Sequence, residues 1–332
     1  MNLRTELTLP RASTQIGLQS RVVTVGSCFA DVLGAQLVAN KIETLTNPFG
    51  TTFNPVSIGK HLSLALYDGT PDEVFFVKRD DIWLHHDFHS SFWNTEKTAL
   101  HQQIVESLRE TKKWLLTSKF LVVTLGTAWA YWHTKHHLMV SNCHKMPSQL
   151  FEKRLLGVGE IENSFADLFQ QIRAFNPDIE IVLTVSPVRH TRDTLQLNAV
   201  SKAVLRLACH QIASAHERVS YFPSYEIMLD DLRDYRFYKP DLIHPNEVAE
   251  QYIFEKFGDV YFEAALTDFV SEWAKIRTAL AHRPTSERSE SYRTFLQNLL
   301  LKLEKNPFEV DLTQEIAEVR AKRIRAWQSG GI

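Results

Sequence analysis

The stretch VVTVGSCFADVLGAQL (residues 22–37) passes from an apolar run into an amphipathic pattern through Gly26-Ser27-Cys28. A β-branched run that stops at Gly and restarts with helical spacing predicts a strand feeding a helix. Ser27 then sits at the carboxyl end of the strand, beside the N–H groups that open the helix. That position suits an attacking oxygen, because those groups favour negative charge. It equally suits a plain helix cap, since Ser is a favoured capping residue. Both readings stand on these residues alone.

Working outward, further apolar runs precede turn residues at 120–125, 179–185 and 219–222. None alternates strictly, as expected of strands buried on both faces of a parallel sheet. Helical patterns lie between them at 31–40, 160–175 and 194–216. Alternating strand and helix predicts a three-layer α/β/α sandwich around a parallel sheet. Residues 129–146 read instead as an inserted hairpin. From 246 the chain turns helical, with further helices expected from 262 onward, near 292–305 and at 313–328. The expected division is a sheet domain over 1–261 and a C-terminal helical extension over 262–332.

Of 332 residues, 44% are hydrophobic and 23% charged, with a net charge of −2. This balance offers no electrostatic case for nucleic acid or an anionic membrane surface. The opening residues lack a signal-peptide core, and no apolar run is long enough to cross a bilayer. Cys28, Cys143 and Cys209 form no disulfide framework and no CxxC. A cytoplasmic protein is expected.

Chemistry collects outside the carboxyl ends of parallel strands. There the sequence places Gly26-Ser27-Cys28, Gly126-Thr127, Ser186 to His190, and, after the last strand, KPDLIHPNE with Asp241 and His244. A Ser, an Asp and a His on one rim are the parts of a nucleophile–base–orienter triad. Asp241 and His244 are three apart, so one tight loop flanked by Pro240 and Pro245 can join carboxylate to ring. Cys28 as a nucleophile would need a lowered pKa, and the reading preferred from sequence packs it beneath Ser27. The histidines at 133, 136, 137 and 144 match no usual zinc spacing, so no metal is expected. Lys145 and Lys202 read as surface or pairing residues, and His89, Arg189 and His144 as candidates to face a substrate.

Six blocks carry a family resemblance: GSCFA (26–30), NPFGTTFNP (47–55), LGTAW (125–129), NCHKMP (142–147), SPVRH (186–190) and DLIHPN (241–246). The chain resembles GSCFA-domain proteins, which are similar to SGNH/GDSL hydrolases. The resemblance implies a flavodoxin-like fold and a serine ester hydrolase of esterase or deacetylase type. Ser27 would be the nucleophile, with His244 as base and Asp241 orienting it. A small-molecule or carbohydrate acyl ester is the implied substrate, with no cofactor. The third block departs from the superfamily's Gly-x-Asn-Asp by placing Ala128 at the Asn. Asn142 is the candidate replacement in the oxyanion hole, beside the N–H groups of Ser27 and Gly50. An acyltransferase and a non-catalytic binding module are the alternatives.

Overall fold

The computed structural model describes residues 4–328. Strand β1 (Arg21–Gly26) leads into α1 (Cys28–Ala39), and β2 (Glu43–Thr46) into α2 (Pro55–Leu66). A hairpin, β3 (Phe76–Arg79) and β4 (Ile82–His85), precedes α3 (Lys97–Thr117) and β5 (Phe120–Leu125). Then come β6 (Trp129–His133), β7 (Leu138–Val140), β8 (Phe151–Leu155) and α4 (Val158–Phe175). Next are β9 (Glu180–Val185), α5 (Leu195–Ala215), β10 (Val219–Tyr221) and the single turn α6 (Ser224–Glu226). The chain closes with α7 (Glu247–Tyr261), α8 (Ala264–Ala281), α9 (Glu290–Glu304) and α10 (Thr313–Gln328).

The central sheet has the order β10-β9-β5-β1-β2, every pair parallel. Strands are added outward in both directions from β1, the flavodoxin-like arrangement expected from sequence. The order reverses between β1 and β5, and the crevice above such a switch point is where ligands bind in open α/β sheets. Side-chain alternation supplies the two outer layers. Leu121, Val123 and Leu125 of β5 face a core shared with α2, α3, α4 and α5. Phe120 and Val122 face the opposite core, built with α1 and α7.

The C-terminal helices join that second core. Leu266, Trp273, Leu296 and Val319 lie in one cluster with Phe29, Leu33 and Phe257. The Trp273 indole N–H donates to the Ala39 carbonyl at 2.8 Å, and Lys41 pairs with Glu315 at 2.5 Å. The inserted hairpin proves to be a three-stranded antiparallel sheet, β7-β6-β8. Its third strand, Phe151–Leu155, is nowhere fully buried, so no continuous apolar run marks it.

Candidate active site

Gly26 makes the turn out of β1 with φ +127°, and a Cβ there would lie 2.1 Å from the Thr124 carbonyl oxygen. Only glycine lets the chain leave β1 this close to β5. Asn47 fixes the turn from the other side, its side-chain oxygen accepting from the Gly26 N–H at 2.9 Å.

The next residue is a cap. Ser27 is extended (φ −68°, ψ 173°), 1% exposed, and its hydroxyl accepts from the Phe29 N–H at 3.3 Å. The same hydroxyl pairs with the Thr124 hydroxyl at 2.9 Å. Its backbone N–H donates to the Thr124 carbonyl at 2.9 Å and to the Thr124 hydroxyl at 3.0 Å. Among the described residues no hydrogen bond joins Ser27 to His244. Of the two readings open at the sequence level, the hydroxyl's contacts are those of the cap.

Cys28 is the first helical residue and is only partly buried. Burial and then the Asp31 carboxylate hold its thiol above the ordinary range, and the opposite pulls of Lys202 and the N–H groups of Cys28 and Phe29 are the weaker.

Across the rim, the loop before α7 carries Asp241 and His244. Asp241 Oδ1 accepts from the N–H groups of Ile243 (2.9 Å) and His244 (3.0 Å), an Asx turn that leaves Oδ2 for the ring. Oδ2 then meets His244 Nδ1 at 2.7 Å. Those N–H donors and the imidazole hold the Asp241 carboxyl down to about 2. The bend needs Leu242 at φ +58° and is closed by a bond from Leu242 N–H to Lys239 O at 2.8 Å. Nε2 of His244 has no hydrogen-bond partner among the described residues, so the ring presents one free nitrogen in a fixed orientation.

The other expected residues divide. Arg189 is tied to the Asp241–His244 loop: its N–H donates to Ile243 O at 3.2 Å and its guanidinium to Leu242 O at 3.3 Å. The guanidinium also lies over the rings of Tyr238 (4.1 Å) and Tyr235 (5.1 Å). His89 packs against Gly50, where a Cβ would come within 2.4 Å of the His89 Cβ. The Gly50 N–H, expected as an oxyanion donor, is spent on Asn47 O at 2.7 Å, just as the Ser27 N–H is spent on Thr124. Asn142 accepts from the His144 N–H at 2.9 Å and so anchors the hairpin. His144 is 4% exposed, with Nε2 bonded to His85 O at 2.8 Å, and does not face an open surface. No group of three or more His, Cys, Asp or Glu among the described residues is arranged to hold a metal ion.

One lysine expected at the surface or in a pair is buried and paired with backbone. Lys202 is not at the surface: it is 1% exposed, and its ammonium donates to Gly126 O (2.9 Å) and Ser186 O (2.7 Å). Beside it, Ser201 takes up the Ala128 N–H at 2.8 Å and pairs with the Thr127 hydroxyl at 3.0 Å. The available signal was positional. Asn198, Ser201, Lys202, Leu205 and Cys209 form the buried stripe of α5, so a lysine stands on an inward face.

These features define an α/β protein with a buried-sheet switch point, a helix-opening thiol and an aspartate-held histidine on one rim. The chain belongs to the GSCFA family: the family's profile matches residues 21–257, and that of the GSCFA domain protein, C-terminal domain matches residues 273–324. No curated protein matches it in sequence. Among solved structures it is similar to a carbohydrate esterase family 3 protein from Talaromyces cellulolyticus, at 11% identity and TM-score 0.37, covering 76% of this chain and 99% of that one. A family 2 carbohydrate esterase from Corynascus thermopiles (Myceliophthora fergusii) gives 10% identity and TM-score 0.38, over 80% and 69%. A putative platelet activating factor from Streptococcus pneumonia gives 13% and 0.37, over 76% and 84%. At such identities and scores the likeness lends no weight to any reaction, which must rest on this chain's own residues. Among the described residues, no helix is long and apolar enough to cross a membrane.

Proposed function

We propose that the protein is an acyl-ester hydrolase of the SGNH type that works through a thioester on Cys28. The observation that carries this reading is the Asp241–His244 pair at 2.7 Å, its outer nitrogen free, on the rim that holds a helix-opening nucleophile. We place the attacking atom on Cys28 rather than Ser27 because the Ser27 hydroxyl is 1% exposed and bonded to Thr124 and Phe29; burial holds the thiol above its ordinary range, so His244 must take its proton as it attacks. His244 Nε2 takes the thiol proton, and Asp241 stabilises the imidazolium. The thiolate adds to the acyl carbonyl, and the oxyanion is met by the Cys28 N–H at the start of α1. Collapse expels the alkoxide, which receives the proton from His244. Water, deprotonated by the same nitrogen, then cleaves the thioester and restores the thiol.

Carbohydrate and small-molecule acyl esters are the proposed substrates, and a reducing, cytoplasmic setting suits the free thiol. Residues 1–261 would carry the chemistry and 262–332 would buttress α1 from its outer face. Ala128, with its N–H already taken by Ser201, favours a second reading, a binding module that keeps the fold without the rate. Turnover of p-nitrophenyl acetate separates the two. The hydrolase reading expects turnover that falls at least about a hundredfold in His244→Ala, the usual contribution of a positioned base. Turnover equal in wild type and His244→Ala leaves only the binding module.

A further inference from the structure

Beside the Asp241–His244 turn lies a cavity of about 100 Å³ whose polar and aromatic walls are Arg189, Arg233, Asp234, Tyr235 and Tyr238. Pockets that enclose a whole ligand run to roughly 300–1,000 Å³, so this one takes a single group. Cavity and turn share backbone. Lys239 N–H donates to His244 O at 2.8 Å, Asn246 N–H to Phe237 O at 2.8 Å, and Arg189 N–H to Ile243 O at 3.2 Å.

The charges on these walls are unbalanced. Among the described residues neither Arg189 nor Arg233 pairs with a carboxylate. The one carboxylate on the lining, Asp234, is turned to Arg236, accepting its N–H at 2.8 Å and standing 3.8 Å from its Nε. On the adjoining turn, Asp241 is spent on the Ile243 and His244 N–H groups and the His244 ring. Arg189 gives one donor to Leu242 O at 3.3 Å and lies over the Tyr238 and Tyr235 rings, and its fork keeps further donors. Arg233 is exposed and ends a π-helical turn, Ile227–Leu232, in the left-handed conformation (φ +31°). Both π turns and left-handed non-glycine residues concentrate at functional sites. Tyr235 is 61% exposed, an open aromatic wall beside the two guanidinium groups.

We infer that this cavity is a subsite for an anionic sugar, its carboxylate or phosphate held by Arg189 and Arg233 and its ring laid against Tyr235. A guanidinium is always charged and matches either oxyanion with paired donors. An exposed tyrosine ring offers an apolar face to sugar C–H groups and leaves the hydroxyls to water. The inference rests on the ester-hydrolase reading only in making the sugar the carrier of the acyl group, and it is independent of which atom attacks.

Isothermal titration at low salt with glucose 6-phosphate, glucuronate and glucose tests the subsite without any turnover. The protein is expected to bind at least one anionic sugar about tenfold tighter than glucose, the two anions telling phosphate from carboxylate, and added salt should weaken the binding. Arg233→Gln should raise that Kd about tenfold, the usual share of one charge-assisted contact, and Arg233→Lys should restore part of it. Tyr235→Ala should weaken all the sugars that bind. Binding of neither anion, glucose bound as tightly as the anionic sugars, or a Kd unchanged in an Arg233→Gln protein of wild-type Tm overturns the inference. Sugar binding in a protein that hydrolyses no acetylated sugar would strike the hydrolase reading and leave the subsite standing. Ester turnover without sugar binding would strike the subsite alone.

Discussion

Acid should unfold this protein through histidines that the fold keeps neutral. His61, His85 and His86 are at most 1% exposed. Each gives a ring nitrogen to a backbone carbonyl: His61 to Asp87 O (2.5 Å), His85 to Asp72 O (3.0 Å), His86 to Asn142 O (2.8 Å). Burial pulls His61 and His85 down to about 3 and His86 to about 4. In the unfolded chain each imidazole takes a proton near 6.5. Between those limits the unfolded state binds more protons, so stability falls as the pH falls. From neutrality to about pH 4.5, each residue removes about 2–3 kcal/mol. Asp87 acts in the opposite sense. Its carboxylate meets Lys60 at 2.7 Å, but one oxygen finds no donor among the described residues, and burial outweighs the pairing, raising it to about 6. Because the folded state then takes up the proton first, Asp87 returns about 2 kcal/mol over the same interval. The net loss is about 5–6 kcal/mol, a large share of a typical domain's stability. Urea unfolding followed by tryptophan fluorescence at the two pH values measures it. His61→Phe, which puts a non-titrating ring between Phe49 and Phe88, should remove about a third of the histidine contribution. An unfolding free energy unchanged between neutrality and about pH 4.5 would refute the reasoning.

Three further outcomes follow from the rim. Gly26→Ala combines a φ of +127° with a Cβ placed against the Thr124 carbonyl, and should lower stability by about 2–4 kcal/mol, read as a drop in Tm. Leu242→Gly should stabilise by up to about 1 kcal/mol in urea unfolding, because the half-exposed Leu242 holds a left-handed φ of +58° in the Asp241–His244 turn. Arg189→Ala should lower kcat about tenfold with Tm nearly unchanged, since the guanidinium braces that turn through Leu242 O and two tyrosine rings.

Strands buried on both faces were legible because their signal is composition alone. Residues 120–125 coincide with β5, and the helices of the C-terminal region fall where the apolar spacing put them. Edge and half-exposed elements were not legible. Glu43–Thr46 (β2) is a short polar edge, and α3 hides a narrow stripe of Leu100, Ile104, Leu108 and Leu115 among charged residues. At the site, the Asp-x-x-His spacing marked the pair that the structure joins, and the Gly-Ser-Cys junction lies at the strand-to-helix turn. Which of Ser27 and Cys28 turns outward was beyond reach, because capping geometry rather than residue type decides it. Lys202 reads from sequence as a surface or pairing residue, because a lone lysine reads as solvated unless its place on the stripe of α5 is weighed first.

The attacking atom is the centre of the account, and acyl trapping addresses it directly. The protein would be mixed briefly with p-nitrophenyl acetate, quenched in acid, and the acetylated peptide mapped by mass spectrometry in wild type, Ser27→Ala and Cys28→Ala. The account predicts an acetyl thioester on Cys28, in excess over Cys143, retained in Ser27→Ala and lost in Cys28→Ala. Acetyl on the Ser27 hydroxyl, persisting in Cys28→Ala, would contradict it and return the nucleophile to the residue that here caps the helix.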